Sequence, residues 1–137
     1  MKKLLLTLTL ISTTLIATST DIEIKIMNKI STALTNKKLI FVHTEDNKNL
    51  DIVFKSEILR YSSVCDKANI VITNTTELKK CSQNKLIFAT GYLSFEALPN
   101  AVGAFFYKKG RPSIVFRKDV LEKHNITLPK EFSKYIK

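Results

Sequence analysis

Three short polar segments contain side chains that could bind a ligand. They read HTEDN at 43–47, TNTTE at 73–77 and TGY at 90–92, and each lies at the end of an apolar run. Hydroxyl, amide and carboxylate groups of this kind form hydrogen bonds to small polar molecules. The candidate ligand-binding residues are Thr44, Glu45, Asp46, Thr73, Asn74, Thr90 and Tyr92.

Two of these segments also precede predicted helices. A helix beginning near Asn49 and another beginning near Asn74 would direct free backbone N–H groups towards the same place, which favours anions. The same residue types are common in helix caps and turns that bind nothing. The segments therefore predict either a site for a small anionic ligand or ordinary capping.

No pattern typical of an enzyme is found in the sequence. His43 and His124 are isolated, and neither belongs to a set of ligands with metal-site spacing. His43 stands near Glu45 and Asp46, which could move protons if the fold supplied a nucleophile. With three glycines the chain lacks phosphate-cradling loops, and nucleophile-elbow, zinc-protease and dinucleotide motifs are missing. We expect no catalytic residue, cofactor or metal.

Cys65 and Cys81 are the two cysteines of the chain. In an exported protein an even number of cysteines indicates a disulfide. Fifteen residues separate them, unlike the close C-x-x-C pair of thiol oxidoreductases. We predict a structural disulfide, and two separate buried thiols are the alternative.

The apolar pattern predicts the elements that position these residues. Three apolar runs, at 38–43, 69–73 and 85–90, are typical of buried strands. Helical stripes are found at 20–38 and 49–61. Thr20 and Glu23 form a capping-box pattern, Asn36 suits the end of the first helix, and a short helix is expected after Asn74.

From Ala101 the pattern becomes that of an antiparallel hairpin. The runs AVGAFFY and SIVFR flank a five-residue tip from Lys108 to Pro112. A helix at 118–124 follows, with Asn125 suited to its C-cap. A last helix, with Pro129 in its first turn, closes the chain.

These elements predict an α/β fold. We expect a small sandwich in which three parallel strands carry the C-terminal β-hairpin and helices cover both faces. The carboxyl ends of parallel strands meet at one edge of a sheet, so the three polar segments should lie together. Cys65 and Cys81 each precede a strand, which places both at the N-terminal edge and within bonding reach.

The first residues have the pattern of a secretory signal peptide. Two lysines precede an apolar run that ends near Ala17, and the triplet ATS at 17–19 offers a cleavage site. The run is shorter than the roughly 20 apolar residues that a membrane-spanning helix needs. We predict a signal peptide at 1–19, a single α/β domain at 20–137 and a periplasmic location.

The net charge of +10 at pH 7 favours anionic partners. Nucleic acid is a poor candidate, because export would separate the two and the chain lacks a basic stripe interleaved with stacking aromatic residues. Charge alone therefore leaves acidic proteins, lipid headgroups and small anions as partners.

The hairpin combines cations with neighbouring aromatic residues, which are enriched at protein interfaces. The candidate partner-binding residues are Phe105, Tyr107, Lys108, Lys109, Arg111 and Arg117. The alternative is a solvated turn whose lysines discourage edge-to-edge pairing of strands.

The order of elements resembles the YfiR family of small periplasmic regulators. That family has a cysteine shortly before a strand, then a second strand, a glycine-containing hairpin, and a strand that runs into a helix. The corresponding segments here are CDKANIVIT, KLIFATGY, Gly103 and SIVFRKDVLEKHNI. The likeness covers roughly 38–137 and is best from residue 65 onward. The paired glycines of the family are reduced here to Val102-Gly103.

The resemblance implies a non-catalytic regulator. Members of the family restrain an inner-membrane diguanylate cyclase by binding its periplasmic portion, often as dimers. An inner-membrane signalling protein and a second copy of the chain are therefore the implied partners. A periplasmic domain that binds a small anionic ligand at the strand ends is the alternative function.

Overall fold

The computed structural model describes residues 19–78, 81–82 and 84–137. Residues 1–18 of the predicted signal peptide lie outside this part. The helices are α1 Ser19–Thr35, α2 Asn47–Lys55, α3 Tyr92–Ala97 and α4 Lys118–Lys123, with short 3-10 helices at Cys65–Lys67 and Lys130–Tyr135. The strands are β1 Ile40–His43, β2 Leu59–Tyr61, β3 Ile70–Thr73, β4 Ile87–Ala89, β5 Ala101–Lys108 and β6 Arg111–Phe116.

The six strands form one mixed sheet in the order β2-β1-β3-β4-β5-β6. Neighbouring strands from β2 through β5 run parallel, and only β6 runs antiparallel, to β5. The predicted α/β class is confirmed. Two strands, β2 and β5, join the three predicted ones in the parallel part of the sheet.

Strand β2 replaces the second half of the helix predicted at 49–61. Helix α2 ends at Lys55 because the side chain of Ser56, rather than a helical carbonyl group, accepts hydrogen bonds from the backbone N–H groups that follow. Its hydroxyl oxygen accepts from the N–H groups of Ile58 and Leu59 at 3.2 and 3.1 Å. Such local side-chain bonds compete with helix continuation. The chain then turns, and Leu59 pairs with Ile40 at the edge of the sheet.

The prediction of a short helix after Asn74 is also wrong, because the described residues 74–78 are not helical. The hydroxyl of Thr73 accepts from the N–H of Thr75 at 3.0 Å, and the hydroxyl of Thr75 donates to the carbonyl of Glu77 at 3.0 Å. These bonds hold a turn. A helix that the sequence did not suggest, α3, follows β4 instead.

Helices cover both faces of the sheet, as predicted. On one face α1, α2 and α4 enclose the larger core, whose fully buried members include Met27, Val42, Phe88 and Phe116. On the other face α3 packs over a smaller cluster that contains Cys65, Val71, Ala89 and Ala104. None of the helices in the described part of the chain combines the length and the apolar composition of a membrane span.

The hairpin turn is shorter than the predicted five-residue tip. Lys108 pairs with Arg111, so only Lys109 and Gly110 lie outside the ladder. Both have positive φ, 52° and 75°, as a type I′ turn requires, and this turn matches the twist of the two strands. Pro112 belongs to β6, which can accommodate a missing N–H because it is an edge strand.

The ends of α1 and α4 follow the prediction. Asn36 and Asn125 adopt the left-handed conformation, with φ of 53° and 54°. The N–H of Asn36 bonds to the carbonyl of Thr32 at 2.8 Å, as in a left-handed C-cap. The last helix is 3-10 rather than α, with Pro129 as its N-cap.

Candidate functional site

A cleft of about 230 Å³ lies at the carboxyl end of strands β3 and β4, next to the distal half of β5. We call it the strand-end cleft. Its lining residues are Glu23, Met27, Asp46, Lys48, Asn49, Ile52, Asn74, Thr90, Gly91, Tyr92, Phe105, Phe106 and Tyr107. A wider groove of about 1010 Å³ between α1 and the segment after α4 contains none of the predicted site residues.

The fold brings together most of the residues predicted to bind a ligand. Asp46, Asn74, Thr90 and Tyr92 line the strand-end cleft. Thr44 and Thr73 are buried beneath it at the ends of their strands. The side chain of Glu45 lies instead near His43, with 3.7 Å between Oε1 and Nε2.

Asp46 joins three of the segments that form the cleft. Its carboxylate caps α2 by accepting from the N–H of Asn49 at 3.1 Å, and it also accepts from the Asn49 side-chain amide at 2.9 Å and the Thr44 hydroxyl at 3.0 Å. A longer bond of 3.4 Å comes from the N–H of Asn74. The start of α2, where an anion was expected, is therefore occupied by the protein's own carboxylate.

Asn49 extends this network across the sheet. The residue is buried, and its side-chain amide donates to the hydroxyl of Thr90 at 2.7 Å. The sequence indicated Asn49 only as the start of a helix. In the fold it connects the ends of β1 and β4, so the cleft has a rigid polar floor.

The opposite wall of the cleft contains a buried carboxylate that the sequence indicated only as a capping residue. The side chain of Glu23 is only 7% exposed, and its Oε1 lies 3.5 Å from the ammonium of Lys48. The same oxygen accepts from the hydroxyl of Tyr107 at 2.9 Å. Helix α1 begins at Ser19, so Thr20 lies inside it and the predicted capping box of Thr20 and Glu23 is wrong. The contact of Glu23 with Tyr107 spans 84 residues and has no local sequence signal.

This contact changes the acidity of Tyr107. Desolvation, followed by the hydrogen bond to Glu23 and the charge of that carboxylate, raises the pKa of Tyr107 above its ordinary value of 10.0. The hydroxyl therefore remains a donor at physiological pH.

Gly91 keeps the cleft open beside Asn74. A Cβ atom at this position would lie 2.5 Å from Oδ1 of Asn74 and 3.3 Å from Oγ of Ser94. Its φ of −168° is accessible to any residue, so a larger side chain at this position would displace the Asn74 amide and narrow the cleft without straining the backbone. The next residue, Tyr92, forms an exposed rim and packs edge-to-face on Phe106 with ring centroids 5.5 Å apart.

The lining supplies hydrogen-bond acceptors, hydrogen-bond donors and one ammonium group. The acceptors are the carboxylates of Glu23 and Asp46, and the amide of Asn74 can both donate and accept. The arrangement can bind a small polar molecule.

The residues predicted to bind a partner separate into two groups. Lys108, Lys109 and Arg111 are exposed, and no ion pair connects them to other described residues. We call Lys108–Arg111 the hairpin tip. Tyr107 is 45% exposed and lies at its base, whereas Phe105 is only 5% exposed and packs within the fold.

The side chain of Arg117 binds to the protein's own backbone, whereas the sequence predicted an exposed side chain that binds a partner. Its guanidinium donates to the carbonyl oxygens of Phe95, Leu98 and Ala101 at 2.7, 2.8 and 2.9 Å. It also lies 3.7 Å above the ring of Phe95. Burial lowers the pKa of Arg117. The side chain therefore ties α3 and the loop after it to the end of β6.

The predicted disulfide is confirmed. Cys65 and Cys81 are bonded, with their Cα atoms 5.3 Å apart. A ring nitrogen of His43 and the two sulfur atoms all lie within 4.8 Å of one another. We call these three residues the cysteine cluster. The sequence did not reveal it, because the three residues are far apart in the chain and belong to different elements.

Comparison with protein-family models, with curated proteins and with solved structures finds no match for this chain. The likeness to the YfiR family rests on the order of elements and stays a prediction.

Proposed function

We propose that this chain is a non-catalytic binding protein that holds a small polar ligand in the strand-end cleft. The observation that carries this proposal is the position of the cleft. In open parallel sheets, ligands favour the loops beyond the carboxyl ends of the strands, and the cleft lies there. The hydrogen-bond network through Asp46 and Asn49 preorganises its polar floor.

The size and charge of the cleft limit the class of ligand. A volume of about 230 Å³ is below the range of roughly 300–1,000 Å³ that is typical of drug-sized ligands, so the ligand is small. The ammonium of Lys48 would bind an acidic group. The carboxylates of Glu23 and Asp46 would accept from hydroxyl or amino groups. A small acid that also carries an amino group matches this lining, because two carboxylates and one ammonium group face the cleft.

The same proposal includes export to the periplasm through the N-terminal segment. Disulfides persist in oxidising compartments, and the Cys65–Cys81 bond fits such a location. The N-terminal pattern of two lysines and an apolar run supports a cleaved signal peptide.

The test is thermal unfolding of the full chain with a panel of small anionic, zwitterionic and neutral metabolites. A ligand at about 100 times its Kd should raise Tm by roughly 10 °C. Lys48→Met should weaken the binding of that ligand by at least about tenfold, since a charged hydrogen bond is lost. Lys55→Met removes a cation from the same helix outside the cleft and serves as the control. No stabilising compound, or equal affinity in both variants, would contradict the proposal.

A second function is favoured by the hairpin tip. Its three cations are exposed and are held by a two-residue turn at the end of the sheet. They would suit an acidic surface on the periplasmic portion of an inner-membrane signalling protein, the partner that the YfiR resemblance implies.

Capture from native membranes tests this second function. We expect the tagged wild-type chain to retain an inner-membrane signalling protein. Alanine at Lys108, Lys109 and Arg111 together should abolish its retention. Alanine at three exposed lysines elsewhere, Lys37, Lys38 and Lys130, removes the same charge and should retain the partner. Equal capture by both triple variants would exclude the hairpin tip as the binding surface.

A further inference from the structure

The cysteine cluster has the composition of a metal site. Two sulfurs and one imidazole nitrogen lie within 4.8 Å of one another, and no ion is present. Thiolate and imidazole are the ligands that Zn²⁺ prefers in proteins. The sulfurs are unable to serve as ligands while they are bonded to each other, so the question is what the cluster becomes after reduction.

His43 is already oriented as a metal ligand. Its Nδ1 lies 2.8 Å from the carbonyl oxygen of Ser62. A carbonyl only accepts, so Nδ1 carries the hydrogen and Nε2 of the neutral ring carries the lone pair. Metal-binding histidines almost always have this second bond, which fixes their tautomer. Within the described residues Nε2 is buried and has no hydrogen-bond partner.

Glu45 stands beside His43 but outside the 4.8 Å group, so its exposed side chain would move towards the sulfurs to become the fourth ligand of a tetrahedral site. With Zn–S near 2.3 Å and Zn–N near 2.0 Å, neighbouring ligand atoms of Zn²⁺ are roughly 3.3–3.8 Å apart. Oε1 of Glu45 lies 3.7 Å from Nε2 of His43. The Glu45 side chain is 40% exposed while Cys65 is 3% exposed, so this side offers the ion a path from solvent.

We infer that reduction of the Cys65–Cys81 disulfide creates a site for one Zn²⁺-class cation, held by both thiolates, Nε2 of His43 and the carboxylate of Glu45. A dithiol reductant gives two electrons and two protons to the S–S bond and leaves as its own disulfide. The cation then displaces both thiol protons to solvent, and His43 contributes its lone pair without a proton change. The oxidised chain and the metal-bound chain are therefore alternative states. This inference does not depend on the strand-end cleft.

Cobalt(II) is the probe, because it takes the place of Zn²⁺ and reports its ligands by absorption. The full chain is reduced with a phosphine, which consumes one water and leaves as the phosphine oxide. One equivalent of Co²⁺ is then added. We expect the visible bands of tetrahedral cobalt together with thiolate-to-cobalt charge transfer, both removed by one equivalent of Zn²⁺. The unreduced chain should show neither, and a reduced chain without these bands overturns the inference.

Variants separate this site from adventitious binding. Cys65→Ser with Cys81→Ser should abolish the bands. His43→Asn keeps a donor for the Ser62 carbonyl but loses Nε2, so the affinity for Co²⁺ should fall by more than about tenfold. Glu45→Gln changes an exposed residue and should also weaken binding by about tenfold or more. Wild-type affinity in either single variant contradicts the four-ligand site.

The fold of each reduced sample is followed by circular dichroism. If reduction alone unfolds the chain, binding and folding are coupled, and Zn²⁺ should restore the folded spectrum. Failure of Zn²⁺ to restore it, in a sample that regains the fold on reoxidation, also overturns the inference.

Discussion

The strand-end cleft draws its residues from distant parts of the chain, whereas the hairpin tip consists of four consecutive residues. In the cleft the side-chain amide of Asn49 donates to both Asp46 and Thr90, so the polar groups of the cleft also hold the fold together. At the tip the three cations are exposed, two on the last pair of the ladder and one in the turn. The difference indicates that changes in the cleft will affect stability and binding together. Changes at the tip should affect binding and alter stability by no more than about 0.5 kcal/mol.

Arg117 gives the strongest test of this division, since the sequence assigned it to the hairpin surface while its guanidinium lies in the fold. Arg117→Met should lower the free energy of unfolding by roughly 3 kcal/mol, because three carbonyl oxygens lose a charged donor. Urea unfolding measures the change. Arg111→Met, at the tip, is the control and should stay within about 0.5 kcal/mol of wild type. Equal effects of the two substitutions would show that Arg117 is not structural.

Asp46→Ala tests whether the cleft network supports the fold. We expect a loss of about 2 kcal/mol in the free energy of unfolding, from the missing helix cap and the unpaired groups of Asn49. Asp51→Ala removes an exposed carboxylate from the same helix and should change stability by less than about 0.5 kcal/mol. A wild-type stability for Asp46→Ala would mean that the network is only incidental to the fold.

The sequence predicts those features of the fold that depend on a local pattern of residues. The buried strands β1, β3 and β4 follow from continuous apolar runs, and parallel pairing then places the polar segments at one edge. The sequence also predicts Asn36 and Asn125 as the ends of α1 and α4, and both residues adopt the left-handed conformation. The disulfide followed from the position of each cysteine before a strand.

The remaining features depend on contacts that no local pattern encodes. The apolar stripe at 49–61 predicts one helix, but the hydroxyl of Ser56 accepts from the N–H groups of Ile58 and Leu59 and so ends α2. The contact of Glu23 with Tyr107 and the position of His43 beside the disulfide exist only after the elements pack. The sequence predicts an outward direction for Arg117, but its guanidinium points into the fold because three carbonyl oxygens there accept hydrogen bonds from it.

Tyr107 connects the two regions, because it lines the cleft and also forms the base of the tip. Tyr107→Phe should cost about 1 kcal/mol at neutral pH through the lost bond to Glu23. The pKa of Tyr107 is raised in the folded state, so its contribution is complete below the ordinary value of 10.0 and is lost as the pH rises through the folded pKa. The stability difference between wild type and variant should therefore shrink in alkali. A difference that grows with pH would contradict the donor role.

The smallest expected effect is at the tip itself. Lys109 has a φ of 52°, which asparagine adopts more readily than lysine, and Asn-Gly is the preferred pair in this turn. Lys109→Asn should raise the free energy of unfolding by about 0.5 kcal/mol. Lys108→Asn also removes one positive charge, but from a strand position where φ is not positive. It should not raise the free energy of unfolding. A gain in both variants would point to charge rather than turn geometry.

The most direct test of the central claim is an amide NMR titration of the full chain with the compound that stabilises it most. Our account predicts that shift changes concentrate at Asn49, Asn74 and Gly91, around the strand-end cleft. Lys48→Met should require at least about tenfold more compound for the same shifts. Changes centred on the wide groove beside α1 or on the hairpin tip, with the cleft amides unmoved, would contradict it.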